Sequence, residues 1–238
     1  AVHWAKTLMP DFEVSEARHA TRGSDEMRAK AVEIVKLADS ESGFSRRKLI
    51  RRTLYSALAF FPLPALVVFG DLGPTPGDTL RHTMWKKGTR LTKDPNGLPI
   101  KASDVTIGSV FHVIPEGLTE LHHGKLEEKA KAAVLLVRLD PADLKESAER
   151  KSWSYDGIVA YSKICTHVGC PVALYEQQTH HLLCPCHQST FDVTDECKVI
   201  FGPASRPLPQ LPISVDAEGY LIAQSDFTEP VGPSFWER

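Results

Sequence analysis

Five cysteines crowd into one short stretch of this chain, Cys165, Cys170, Cys184, Cys186 and Cys197, and none precedes Cys165. Two histidines stand among them, in the boxes Cys165-Thr166-His167-Val168-Gly169-Cys170 and Cys184-Pro185-Cys186-His187-Gln188-Ser189. Cysteines spread evenly along a chain would suggest a disulfide framework, whereas close pairs interleaved with histidines suggest a metal site. Each box offers one Cys and one His at short spacing, Cys165 with His167 and Cys184 with His187. Two such loops facing each other would supply four soft and borderline donors to one shared centre. A Cys2His2 zinc site draws on the same residue types, so the donor list alone leaves zinc open. Spacing argues the other way: zinc modules usually group a Cys pair and then a His pair, and here the two types are mixed within each box.

Loops of this kind need rigid support. Residues 173–175 and 182–183 lie between the boxes and can form a hairpin that brings them together. Further strands are predicted at 104–114, 132–139 and 157–163, with a hairpin over 213–223 that turns at 216–219, so the head reads as all-β. The charged stretch 141–151 predicts a short helix with Asp140 as its cap.

At 238 residues, 42% of them hydrophobic, the chain can bury one ordinary core and carry an appendage. A net charge of −2 lacks the basic footprint that nucleic-acid binding requires. The appendage is N-terminal. Residues 1–52 are polar and hold a helical stretch at 24–38, with Met27, Ala31, Ile34 and Ala38 on one face and Ser24 as cap, a surface helix that could also pack on a partner subunit. Arg46, Arg47, Lys48, Arg51 and Arg52 then precede a charge-free apolar run at 54–69. That run is close to the lower limit of the roughly 17 to 25 residues a bilayer-crossing helix needs, with kinks expected at Pro62 and Pro64.

Five basic residues at one end only argue against a buried core helix. By the positive-inside rule they keep the leader cytoplasmic and place everything after about Asp71 on the outer face. The paired arginines after Ser45 resemble a twin-arginine export signal, a route that suits a domain folded around its cofactor, and no small-x-small cleavage site follows, so the segment is expected to stay as an anchor. Gly- and Pro-rich residues 73–99 fit a tether. The expected organisation is a cytoplasmic segment at 1–52, a transmembrane helix at 53–72, a linker at 73–103, a head at 104–228 whose metal-binding part is about 160–210, and a tail at 229–238.

The paired boxes C-T-H-x-G-C and C-P-C-H-x-S resemble those of the Rieske iron-sulfur proteins of cytochrome bc and bcc complexes, over residues 104–224. The resemblance implies a mainly β fold: an antiparallel β-sandwich head with a cluster-binding subdomain, tethered to a transmembrane α-helix. It implies a [2Fe-2S] cluster with Cys165 and Cys184 on one iron and His167 and His187 on the other, and a disulfide between Cys170 and Cys186 that braces the loops. Rieske domains of ring-hydroxylating oxygenases generally lack that bridge, so it points to the respiratory type, and a disulfide agrees with an outer-face head. By the same resemblance Ser189 donates its hydroxyl to a cluster sulfur, Gly169 shapes the first box, and Pro203 belongs to a covering proline loop at 202–209. Phe191 stands where high-potential members carry Tyr, which implies a lower potential, as suits menaquinol. The resemblance also implies that exposed His187 accepts a hydrogen bond from the quinol hydroxyl, and the protons on His167 and His187 should be lost more readily when the cluster is oxidised.

The implied role is a subunit of a proton-translocating quinol:cytochrome c reductase. The implied partners are a cytochrome b subunit, a cytochrome c-type haem subunit, menaquinol and membrane lipid, in a dimeric complex that in some relatives joins a terminal oxidase in a supercomplex. The long leader and an insert at 126–151 look most like the actinobacterial bcc form, whose members begin with further membrane helices; this chain, opening on Ala1, is expected to lack that part. The small subunit of an arsenite oxidase resembles the same disulfide-bearing pattern but usually lacks so long a leader. Cys197 is read as a small buried thiol, and His180 and His181 as surface residues without a role.

Overall fold

A computed structural model describes residues 2–9, 12, 21–70 and 77–233. Parts of the expected leader, the end of the expected transmembrane helix (71–72), the start of the linker (73–76) and part of the tail (234–238) lie outside the described residues. The chain divides into a unit of residues 19–76 and a second unit of residues 77–238 together with 1–18, where a short helix α1 covers Val2–Thr7.

In the smaller unit, Ser24 is extended and its Oγ accepts the Met27 N–H at 3.2 Å, starting helix α2, Asp25–Ser42. Asp25 and Glu26 in the first turn suit the positive end of the helix dipole. The helix runs past Ala38 because nothing breaks it before Gly43, whose φ of 63° ends it with its N–H on the Asp39 carbonyl. Helix α3, Lys48–Phe60, and helix α4, Leu63–Phe69, follow. Phe61 N–H still reaches the Ala57 carbonyl at 2.8 Å, but Pro62 and Pro64 bring no donor for the next turn, and the ladder resumes with Leu66 N–H on Pro62 at 2.9 Å. Together Lys48–Phe69 make 22 residues, none buried. The charge-free part, 54–69, rises about 24 Å at 1.5 Å per residue, so the turns that carry Lys48, Arg51 and Arg52 complete the length against a hydrocarbon layer of about 30 Å.

The larger unit is built on strands. β1 (Leu91–Lys93), β2 (Val110–Pro115), β3 (Val134–Arg138) and β4 (Ile158–Ser162) form one antiparallel sheet in that order. β5 (Leu174–Glu176), β6 (His181–Leu183), β7 (Thr190–Asp192) and β8 (Lys198–Phe201) form a second, and β9 (Ile213–Val215) pairs with β10 (Leu221–Ala223). Side chains alternate across a strand, and β3 uses both faces. Val134 and Leu136, with Ile158 and Ala160 of β4, join a core that includes Ile213, Leu221 and Ala223. Leu135 and Val137, with Val159 and Tyr161, face a second core with Leu182, Phe191, Cys165 and Cys184. The continuous apolar runs of β3 and β4 are those of strands covered on both sides.

Several boundaries differ from expectation. The expected linker at 73–103 contains β1, and Trp85, Leu91 and Ile100 lie in the first core, with Trp85 Nε1 donating to the Ala132 carbonyl at 2.8 Å. The strand expected at 104–114 begins only at Val110, because Gly108 turns with φ 80° and Ser109 N–H folds back to Thr106. An unforeseen helix α5, Lys125–Ala132, sits in the insert with acids in its first turn and lysines in its last. The helix expected at 141–151 shrinks to one 3-10 turn, Pro141–Asp143, capped by Asp140. Lys145 N–H goes to the Thr194 carbonyl and Ser147 N–H to Glu196 Oε1, both at 2.7 Å, so tertiary acceptors take donors that a helix would have used. Residues 229–233, expected in a tail, belong to the head: Val231 is fully buried and bonds to Leu80.

Candidate metal centre

Strand β4 delivers the chain to the first box, and the turn between β6 and β7 is the second. The two loops close in the same way. Cys165 N–H bonds the Cys170 carbonyl at 2.8 Å and Gly169 N–H returns to Cys165 at 3.0 Å; Cys184 N–H bonds Ser189 at 2.9 Å and Gln188 N–H returns to Cys184 at 3.0 Å. The fourth residue after each leading cysteine takes positive φ, 84° at Gly169 and 60° at Gln188. Gly adopts this freely, while for Gln it is an uncommon conformation of the kind that clusters at functional sites.

Cys165 and Cys184 are buried at 1% exposure each, His167 is half-buried and His187 exposed. The two imidazoles meet edge to face with centroids 4.8 Å apart. Among the described residues, His167 Nδ1 is buried with no hydrogen-bond partner. Burial raises the Cys165 thiol, and the neighbouring Cys184 adds to this; the backbone N–H of His167 and the Ser189 hydroxyl bond the sulfur and pull the other way. Two buried thiols side by side and an orphaned imidazole nitrogen make a donor set that a cation would complete, and the mixture of thiolate and imidazole fits a [2Fe-2S] cluster with different ligands on its two irons. Cys170 and Cys186 are free thiols here, with Sγ atoms within 4.8 Å of each other and of Cys184. A hydrogen bond with Cys170 is the main reason the exposed Cys186 thiol is pushed up to about 11. That cysteine trio is not the predicted ligand set, but it places the expected bridging pair directly beside one of the expected ligands.

The proline loop lies against both boxes. A Cβ on Gly202 would fall 2.6 Å from Ser189 Cα, so only glycine allows this approach, and its φ of 82° also favours glycine. Ala204 N–H donates to Ser189 Oγ at 3.1 Å, and Thr166 Oγ1 donates to the Arg206 carbonyl at 2.7 Å. Pro203 is exposed beside these contacts, and Phe191 is fully buried behind the second box. The sequence reading assigned no part to Thr166 or Arg206, although both lie inside the quoted motifs; their bond joins residues 40 apart, which spacing does not reveal. Cys197 is fully buried, as expected of a structural thiol. His180 is more engaged than expected: its Nδ1 is 3.0 Å from the Tyr175 hydroxyl and its Nε2 is 3.7 Å from Asp143.

A family model described as the Rieske [2Fe-2S] domain matches residues 132–212, which hold both boxes and the whole proline loop. A cytochrome bc1 complex Rieske iron-sulfur subunit of Streptomyces coelicolor is 55% identical over 238 residues, 100% of this chain and 67% of that protein. One of Streptomyces lividans is 58% identical over 168 residues, covering 71% of this chain and 98% of that protein. One of Mycobacterium tuberculosis is 37% identical over 275 residues, covering 100% of this chain and 64% of that protein. Identity of this extent, over a fold that brings the Cys/His boxes together, shows that the chain belongs to the family of cytochrome bc1 complex Rieske iron-sulfur subunits.

Proposed function

We propose that this chain is the electron-carrying subunit of a respiratory, proton-translocating quinol:cytochrome c reductase. It takes one electron and one proton from menaquinol and passes the electron to a cytochrome c-type haem. Its partners are a cytochrome b subunit and a haem subunit, in a dimeric membrane complex that can also meet a terminal oxidase. The names of the relatives support this role, and the juxtaposed imidazoles of His167 and His187 beside the buried Cys165 and Cys184 are the observation that carries it.

Cys165 and Cys184 would hold one iron and His167 and His187 the other. The cluster supplies a one-electron centre whose potential neutral imidazoles raise, to about −150 to +300 mV compared with about −400 mV for plant-type all-thiolate ferredoxins. The protein's own residues do the rest. Burial keeps water from the cysteine side, and the fully buried Ser189 would give its hydroxyl hydrogen to a sulfur of the centre. The orphaned Nδ1 of His167 is the nitrogen a metal would satisfy, which leaves Nε2 to hold a proton. His187, the exposed member of the pair, offers its outward nitrogen to a quinol hydroxyl and can hold the proton it receives. A bridge between Cys170 and Cys186 would tie the loops.

Low-temperature electron paramagnetic resonance of the dithionite-reduced full chain, followed by redox titration across pH, tests this. A rhombic signal with a low average g and a potential that falls as pH rises is expected. Purified protein that contains zinc, or iron without inorganic sulfide, would refute it.

A further inference from the structure

Arg206 is only 8% exposed, and its guanidinium bonds to the C-terminal segment. Nη2 donates to the carbonyls of Pro230 and, at 2.7 Å, Gly232, and Nη1 lies 3.6 Å from the Glu229 carboxylate. Arg150 shares Glu229 at 3.5 Å, reaches Glu196 at 3.6 Å, and lies over the Trp153 ring at 5.3 Å. The segment it grips runs against the first box: a Cβ on Gly232 would fall 2.9 Å from Ile164 Cγ2, and one on Gly169 would fall 3.5 Å from Pro233 Cδ. On its other side, the Arg206 carbonyl receives the hydroxyl of Thr166, between the expected ligands Cys165 and His167.

We propose that residues 229–233 form a strap and Arg206 its clasp, and that the clasp sets the reduction potential by holding the proline loop where it orients the Ser189 hydroxyl. Ala204, two residues before Arg206, gives its N–H to Ser189 Oγ, so the oxygen is engaged as acceptor and its hydrogen is left for a sulfur of the centre. Hydrogen bonds to cluster sulfurs raise the potential. Nη2, fixed in the plane of the guanidinium, gives its two hydrogens to both carbonyls in one geometry, which a freely rotating lysine ammonium does not impose. Arg206 is thus a positioning residue: it acts through Ala204, Ser189 and Thr166. The proposal rests on the reading of the centre as a Rieske cluster.

The test is redox titration, read by electron paramagnetic resonance, of the full chain in its membranes, unsubstituted and as Arg206→Met, Arg206→Lys and Glu229→Gln. At the unsubstituted midpoint, Arg206→Met is expected to lower the reduced-to-oxidised ratio at least fivefold. Arg206→Lys is expected to recover part of this, and Glu229→Gln to lower the ratio about twofold. The two neutralisations separate clasp from charge: a simple field effect moves their midpoints in opposite directions, and a loosened clasp lowers both. Should Arg206→Met fail to assemble, the other two variants decide. Midpoints and line shapes equal to the unsubstituted chain, even with a lower melting temperature, overturn the strap. A missing rhombic signal in the unsubstituted chain overturns the cluster reading instead, and the strap with it.

Discussion

Ser189 is fully buried next to two nearly buried thiols, and in such a low-polarity surrounding each hydrogen bond to sulfur counts for more than it would in water. Phe191 offers no such bond. Its ring is fully buried, opposite Leu182 on one side and Val199 on the other. Phe191→Tyr is expected to raise the midpoint by roughly 40 mV, the one-electron equivalent of about 1 kcal/mol for one added hydrogen bond. A titration that finds the midpoint unchanged or lowered would leave Phe191 as packing alone. Cys197 calls for a different measurement. Burial is the first cause that pushes it and Tyr161 well above their ordinary values, and each of these groups also has a carboxylate near it. The unfolded chain releases the thiol proton near its ordinary value of about 8.5, while the folded chain keeps it. Stability is therefore flat below that pH and falls above it by about 1.4 kcal/mol per pH unit for this group. Cys197→Ala is expected to remove that contribution between about pH 9 and 10, in melting curves taken at several pH values. Equal slopes in both proteins would clear Cys197 of any part in alkaline unfolding.

The two boxes are legible in the sequence because a metal centre needs its donors within a few residues of tight turns, so the chemistry is written locally. Strands β3 and β4 are legible for a similar reason: a strand covered on both faces must be apolar throughout. What spacing leaves hidden is held by partners far along the chain. β1 is embedded in Gly- and Pro-rich sequence that reads as tether, and single anchors such as Trp85 fix it to the head. The region 141–151 has the cap and the composition of a helix, but Thr194 and Glu196 offer its N–H groups better acceptors. The proline loop reads as stiff from its sequence, but its seat depends on Gly202, where the backbone meets Ser189 and Gln188. Gly202→Ala is expected to cost at least about 2 kcal/mol, through a steric clash added to an unfavourable φ. Because the loop must lift off the second box, the paramagnetic signal should broaden or shift along with a lower melting temperature. A destabilised head with an unaltered spectrum would show that the loop can move without disturbing the centre.

The anchor and the head impose one joint requirement, since a carrier that works between quinol and an outer haem needs its cluster beyond the membrane while its basic flank stays behind. Arg46, Arg47, Lys48, Arg51 and Arg52 sit at the start of the 22-residue apolar span, and insertion scales charge about 2.5 to 3.5 kcal/mol for each such residue drawn to the bilayer centre. Five together make passage of that flank far costlier than passage of the opposite end. The twin-arginine-like pair adds a route by which a head already folded could cross. Protease added to intact spheroplasts is therefore expected to remove the head and leave a membrane-bound fragment that carries α2, whereas inside-out vesicles should lose α2 and protect the head. Exchange of the four arginines for glutamine should produce both fragments in each preparation, because the charge bias that fixes the orientation is gone. If the unsubstituted head were instead digested only in inside-out vesicles, the basic flank would lie outside and the electron path proposed for this chain would have no outer partner to reach.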